Sequence, residues 1–277
     1  MTRQQILEEA TTYLESNGGN RVSADKALRP ELIGMKIYDP PIIGIASAQD
    51  DYLLSLQAAP SAGVPQPPPT FWLESAKSVI SLFFPFTAKV RESNFKAALD
   101  EPSQEMLHAR NEGHAFIFQL CEHLKELLEN MGYAAVIPAR DSRHWMAFEN
   151  PSQDGRTFTS NWSERHVAFA CGVGTFSLHD GIITEVGAAG RLASLVTDLE
   201  LPPTTRPYRE LYEYCTKCGA CISNCPAHAI TLEEGRSNLL CRDFLKGVEA
   251  AYKDRKYIGC CGKCQINVPC EVGIPGK

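Results

Sequence analysis

Nine of the eleven cysteines fall between residues 215 and 270, and this crowding restricts the chain more than any other feature of it. The run "CTKCGACISNCPAHAI", residues 215–230, sets Cys215, Cys218, Cys221 and Cys225 two, two and three residues apart, with Pro226 directly after them. Cys241, Cys260, Cys261, Cys264 and Cys270 follow, while Cys121 and Cys171 stand alone in apolar helical surroundings, where a core thiol is the ordinary role. A secreted disulfide scaffold is short and usually has an even cysteine count. Tight spacing within a 277-residue chain reads instead as a metal site kept in a reducing compartment.

The four-cysteine run matches the bacterial ferredoxin pattern C-x2-C-x2-C-x3-C-P, in which three thiolates wrap one [4Fe–4S] cube and the fourth turns away to a second. Such a run does not close its own cluster, so it requires a second group of cysteines downstream. By the crossover rule Cys215, Cys218, Cys221 and Cys270 form one set, Cys225, Cys241, Cys261 and Cys264 form the other, and Cys260 is spare. Cys261 is preferred to its neighbour only for its C-x2-C spacing to Cys264. The usual second run would place a cysteine at 268, where this chain has Val268, Pro269 and then Cys270. Zinc also takes four cysteines, but the proline-marked run points to iron and sulfide.

The remainder is long enough for one sizeable domain. Its 44% apolar and 22% charged residues are those of an ordinary globular chain. No run of about 18 apolar residues exists, so no membrane span is expected. The opening, with Ile6, Leu7, Ala10, Tyr13 and Leu14 at helical spacing, reads as an amphipathic helix ended near Asn17-Gly18 and not as a signal peptide, which places the protein in the cytoplasm. A formal net charge of -6, made more negative by thiolate-bound clusters, makes nucleic acid a poor partner.

Residues 58–71 hold five prolines and read as a surface loop. Residues 78–84 read as a buried strand. Residues 103–131 read as a helix with Phe116, Leu120, Leu124, Leu127 and Met131 on one side. Strands are expected at 134–138, 181–184 and 192–199, and a helix from Asn161 to Cys171, where Asn161 and Glu164 have capping-box spacing. This interleaving predicts an α+β, three-layer domain over residues 1–205, followed by a small cofactor-centred domain over residues 206–277.

"HVAFACGVGTFSLHDGIITEVGAAGRLASLVTDLELPPT", followed closely by the ferredoxin run, resembles the epoxyqueuosine reductase and reductive dehalogenase superfamily, as does "FWLESAKSVISLFFPFT". The resemblance spans roughly residues 70–270 and is strongest in the second half. It implies a nitroreductase-like α/β/α domain that holds a corrinoid (cobalamin) against one of two [4Fe–4S] clusters, with a bacterial two-cluster ferredoxin-like domain behind it. Electrons would come from a ferredoxin or flavodoxin and reduce a small molecule. Three departures are expected to matter. The aspartate that serves epoxyqueuosine reductases as proton donor has Phe158 or Thr159 at about its position here. The helical-repeat domain that helps those enzymes hold tRNA is missing, as is the export signal of respiratory dehalogenases. An electron-transfer or reductive activator protein without its own substrate is the second reading, and a flavin in the nitroreductase-like domain is the third.

Among the polar residues, Arg143 and His144 in "DSRHW" follow a predicted strand, where loops carry function. They read either as holders of phosphate or substrate and a proton donor, or as a solvated loop. Glu164 reads as a capping-box partner or an acid, and Arg165 and His166 as pocket or solvent residues, so that His144, Glu164 and His166 are the catalytic candidates. Under the resemblance, Gly172 and Gly174 let the backbone approach the corrinoid, and His179 and Arg191 point at it, Arg191 on a Gly190-Arg191 pair that reverses the family's arginine–glycine order. Otherwise the glycines terminate a helix and His179 is structural.

Overall fold

The computed structural model describes residues 1–58, 64–147 and 159–276. Along the chain run α1 (Arg3–Ser16), β1 (Ile42–Ser47), α2 (Asp51–Ser55), α3 (Pro69–Trp72), β2 (Ser78–Pro85), α4 (Ala88–Lys96), α5 (Gln104–Asn130), β3 (Ala135–Val136), β4 (Met146–Ala147) and β5 (Thr159–Ser160). They are followed by α6 (Glu164–Ala170), β6 (Gly174–Phe176), β7 (Ile182–Thr184), β8 (Gly190–Thr197), α7 (Ala220–Ser223), β9 (Ile230–Thr231), β10 (Gly235–Arg236) and α8 (Asn238–Ala251). The fold is α+β: an antiparallel sheet of order β1-β2-β8-β3, with helices on both faces and the cysteine-rich region attached at its end.

Strand periodicity sorts the two faces. Ile43 and Ile45 of β1, Ile80, Leu82 and Phe84 of β2, and Ala193 and Leu195 of β8 pack against Ile6, Ala10 and Leu14 of α1 and against Phe116, Leu120 and Leu124 of α5. The opposite face offers Ala46, Val79, Phe83 and Val196 to α2 and α6. With both faces covered, β2 is almost wholly buried, which is why it reads as an unbroken apolar run. The α1 helix starts with a complete capping box, Thr2 and Gln5, which satisfies two of its first amides. The α5 helix starts at Ser103, whose hydroxyl accepts from the Met106 amide at 3.1 Å.

Several expected boundaries move for identifiable reasons. The buried stripe of α5 passes through Leu128, and Met131 is exposed. Within 58–71, Pro69 at the first helical position opens the short α3, as a fixed φ allows; residues 59–63 of that loop lie outside the described residues. The helix expected from Asn161 begins two residues later, with Ser163 at its cap. Asn161 is otherwise engaged: its side chain accepts from the Trp145 amide at 3.0 Å and donates to the Arg143 carbonyl at 3.0 Å. Of residues 181–184, Ile182–Thr184 form β7, paired with β6 in a separate two-stranded ribbon.

The α6 helix lies unusually close to the sheet because the strands beneath it carry small residues. Gly44, Ser81 and Ser194 stand side by side across β1, β2 and β8. A Cβ on Gly44 would come within 2.1 Å of the Cys171 carbonyl oxygen. Beyond β8, the proline-rich segment after residue 200 crosses the free edge of β1, with the Thr204 amide bonded to the Ile45 carbonyl and the Ile45 amide to the Thr204 hydroxyl. An edge strand is thereby closed to other chains. Replacing Gly44 by Ala forces α6 off the sheet and should cost about 1–3 kcal/mol, read as a lower urea midpoint with an unchanged slope; an unchanged midpoint would show that the helix is not held against β1.

Candidate metal centre

The cysteine-rich region folds as loops around short helices, and left-handed residues let it double back: Lys217 and Gly219 in the first run, Gly262 and Asn267 in the second. Asn224 ties the two runs together, its side-chain amide donating to the Ile266 carbonyl at 2.8 Å. The chain then returns to the sheet, where the Ala188 amide bonds the Cys270 carbonyl at 2.8 Å. Arg91 of α4 pairs with Glu271 at 2.6 Å. Lys263 is almost fully buried and donates to the Asn94 and Ala97 carbonyls at 2.6 and 3.1 Å, while Asn94 donates to the Cys261 carbonyl at 2.9 Å.

This folding gathers the thiols into two places. Cys215, Cys218, Cys221 and Cys270 line one small cavity with His179. Cys225, Cys241, Cys261 and Cys264 line another, of ≈ 170 Å³. Burial raises the thiol pKa of Cys221 to about 11 and of Cys270 to about 12, and the neighbouring thiols of the same set push in the same direction. In the second set burial raises Cys241, Cys264 and Cys261, the last to about 11. Cys260 also borders the second cavity, but its sulfur lies 3.6 Å from the Met106 carbonyl and it belongs to the apolar core around α5. Cys121 and Cys171 are fully buried on opposite faces of the sheet, their thiol pKa raised by burial.

A group of uncharged, protonated thiols would gain nothing from such neighbours, whereas thiolates bound to iron need compensating positive charge and hydrogen bonds. Both are present. At the first cavity His179 is 1% exposed; its Nδ1 accepts from the Gly181 amide at 3.2 Å, and its Nε2 has no partner. Burial and the nearby Arg236 and Arg165 lower its pKa to about 3, so the ring is neutral and Nε2 carries the proton. The second cavity is walled by Arg110, Arg165, Arg191 and Arg236. The donor sets therefore fit iron–sulfur clusters. Among the described residues, no three His, Cys, Asp or Glu side chains close on one point as a single ion requires. Sulfurs round a zinc sit about 3.8 Å apart, given a Zn–S bond of about 2.3 Å.

The other candidates separate. Arg165 and Arg191 lie at the second thiol cavity and His179 at the first. Arg143 is a clamp: it forks onto Asp141 at 2.7 and 2.8 Å and donates to the Phe71 and Trp72 carbonyls at 2.5 and 2.7 Å. His144, its pKa lowered by burial, sits beside Trp72. His166 is buried against Tyr52 and Phe176, with its Nδ1 2.9 Å from the Ser163 hydroxyl. Gly172 closes α6 in a Schellman turn, with its amide bonded to the Phe169 carbonyl and the Val173 amide to that of Ala168. Gly174 lets β6 approach β7, since a Cβ there would lie 2.1 Å from the Ile183 carbonyl oxygen. Of the two positions expected for the missing aspartate, Phe158 lies outside the described residues and Thr159 is buried in β5.

Glu164 is neither a capping residue nor solvated. It opens α6 with its carboxyl turned to the sheet, beside the Ser194 hydroxyl that also accepts from Trp162 Nε1 at 2.9 Å, and one carboxyl oxygen has no partner. Burial raises its pKa to about 7. The guanidiniums of Arg110 and Arg236 were not singled out by sequence reasoning. Their one visible signal is that Arg110 stands on the otherwise apolar face of α5.

A family model for a 4Fe-4S binding domain matches residues 210–231. Among solved structures, a selenomethionine-labelled epoxyqueuosine reductase aligns with 100% of this chain and 68% of its own at 20% identity and a TM-score of 0.53. An epoxyqueuosine reductase with a tRNA-Tyr stem loop aligns with the same shares at 19% identity and 0.52. The enzyme from Streptococcus thermophilus aligns over 83% of this chain and 62% of its own, at 18% identity and 0.51. No curated protein matches in sequence. The chain has the fold of the epoxyqueuosine reductases and carries a 4Fe-4S binding domain within it.

The buried carboxyl makes a pH prediction. The folded state holds the Glu164 proton up to about pH 7, whereas the unfolded chain releases it near its ordinary, lower value. Between the two the folded form binds more protons, so stability falls as pH rises and the full cost is present above the higher value. Glu164→Gln removes that loss and should gain on the parent by on the order of 2 kcal/mol between about pH 5 and about pH 8 in urea melts. Parallel pH profiles would show an ordinary carboxyl.

Proposed function

We propose that this protein is an iron–sulfur oxidoreductase that passes electrons through two [4Fe–4S] clusters to a small molecule. One observation carries the reading: the thiols sort into two sets of four across the sequence, as the ferredoxin run requires, with the match to a 4Fe-4S binding domain at 210–231. Cys215, Cys218, Cys221 and Cys270 would hold the outer cluster, beside His179 and its unpartnered Nε2. Cys225, Cys241, Cys261 and Cys264 would hold the inner one, with Arg165 and Arg236 as counter-charge. Bound clusters supply one-electron transfer. The chain's part is to keep both away from water and to fix their order.

Cys218 is exposed, whereas Cys264 and Cys225 lie deeper. A ferredoxin or flavodoxin would be the electron donor, and Cys218 is the thiol that such a partner could approach. No helix among the described residues is long and apolar enough to cross a membrane, and exchange with a soluble donor is consistent with that.

Among the described residues, those that the resemblance names for a corrinoid divide between both thiol cavities, the Phe71–Trp72 clamp and the α6 turn. In protein purified without oxygen and exposed to hydroxocobalamin, near one cobalt per chain with a base-off cobalt(II) resonance would bring the corrinoid into the scheme, and iron without cobalt leaves the clusters as the donors.

Iron analysis with electron paramagnetic resonance tests the clusters. The parent should hold about eight irons per chain. Cys261→Ser should fall to about four and lose one of two reduced-cluster signals, while Cys260→Ser keeps both. Bound zinc in place of iron, or equal loss in the two variants, would overturn the assignment.

A further inference from the structure

The four arginines around the inner cavity are not equivalent. Arg236 is paired with Asp180 at 3.4 Å and, with Arg165, faces the thiols of the inner set, so these two guanidiniums are the near neighbours of that cluster. Arg110, from the first third of α5, and Arg191, from β8, line the same cavity wall near one another and near Cys260, the thiol left outside both sets. Among the described residues neither has an ion-pair partner, and Nη1 of Arg110 is buried with no hydrogen bond at all. His114, one turn along α5 from Arg110, also has a buried ring nitrogen, Nδ1, without a partner. The carboxylate that comes nearest in effect, Glu249, is already engaged by Arg242 at 2.7 Å and by the Gly259 amide at 3.1 Å.

Two half-buried guanidiniums near one another without a counter-ion repel, and an unpartnered buried donor adds its own desolvation cost. Burial, with Arg191 beside it, lowers the Arg110 pKa to about 10, which still leaves it charged at neutral pH. Burial, with Arg191 and Arg110 nearby, lowers the His114 pKa to about 3, so that ring adds no charge and can only donate or accept a hydrogen bond. The arrangement is that of a site whose missing member is negative. Guanidinium forks match the planar or tetrahedral oxygens of a carboxylate or phosphate, and the cavity wall here also offers apolar surface from Phe86, Met106 and Phe244.

We infer that Arg110 and Arg191 form an oxyanion-binding site beside the inner cluster, and that the small molecule reduced there carries a carboxylate or phosphate group held by this pair. The inference rests on the proposed function for its redox sense but not for its binding. Its ligand class also fits a globally acidic protein: with a net charge of -6, a local cationic pocket selects an anion against the field of the rest of the surface.

The test uses the cluster-loaded protein and two probes, inorganic phosphate and acetate, by calorimetry without oxygen. At least one should bind saturably, and the better of the two tells phosphate from carboxylate. Arg191→Gln and Arg110→Gln should each weaken that probe about tenfold or more, as loss of a charge-assisted hydrogen bond does, while Arg191→Lys retains part of it and shows that the fold survives. Binding should also alter the resonance of the reduced inner cluster and leave that of the outer cluster alone. No saturable binding of either probe, or an affinity in both glutamine variants equal to that of the parent, would overturn the site. Iron content separates the two readings: full clusters without anion binding defeats this inference alone, whereas a chain that holds no iron defeats the proposed function.

Discussion

A four-cysteine run that cannot complete its own set forces everything downstream of it to fold back. Three of its thiols wait for Cys270, and its fourth waits for residues from α8 and the loop beyond. The return path is fixed by polar contacts to the large domain: the Cys270 carbonyl takes the Ala188 amide just ahead of β8, Glu271 takes Arg91 of α4, and Lys263 is buried against the end of α4. The apolar core continues across the same junction, since Val248, Cys260 and Ile266 pack in the cluster that contains α5 and one face of the sheet. Cavity and sheet are therefore one mechanical object, and a shift of β8 moves both the thiols and Arg191.

The surroundings of the two thiol sets differ in electrical character. The outer set has the neutral ring of His179 beside it, with Cys218 exposed. The inner set faces the guanidiniums of Arg165 and Arg236, with the Asp180 carboxylate paired to Arg236. Positive charge held close in a low-dielectric setting favours the more negative, reduced state of whatever it surrounds. The difference is produced by side chains from α6 and β10 and not by the cysteines themselves.

Much of this was legible in the sequence where the signal is local. The α1 and α5 helices and strands β2 and β8 have strong periodicity or unbroken apolar runs, and the cysteine spacing names its own chemistry. The β1 strand went unread because Gly44 interrupts "IIGIAS", and its glycine is there for a reason that only packing reveals, the approach of the Cys171 carbonyl. Asn161 resembles a helix cap, yet its amide is spent on the backbone of residues 143 and 145, and the helix starts at Ser163 instead. Glu164 fitted a capping box by spacing, but a row of small residues under α6 makes room for it inside. The arginine wall was invisible as a unit because its members are separated by up to 126 positions, from Arg110 to Arg236, and only the folded chain brings them to one cavity.

The crossed pairing of thiols also dictates an order of events during synthesis. A ribosome that has delivered residues 215–225 has delivered the whole ferredoxin run and yet a full set for neither cavity. Residues 226–264 must follow before the inner four thiols exist together, and Cys270 before the outer four do. The sheet, by contrast, is complete once β8 emerges. A chain interrupted in its last part therefore presents the thiols of the first run without their partners, beside a core that still lacks Val248, Cys260 and Ile266, a mark by which incomplete copies differ chemically from whole ones.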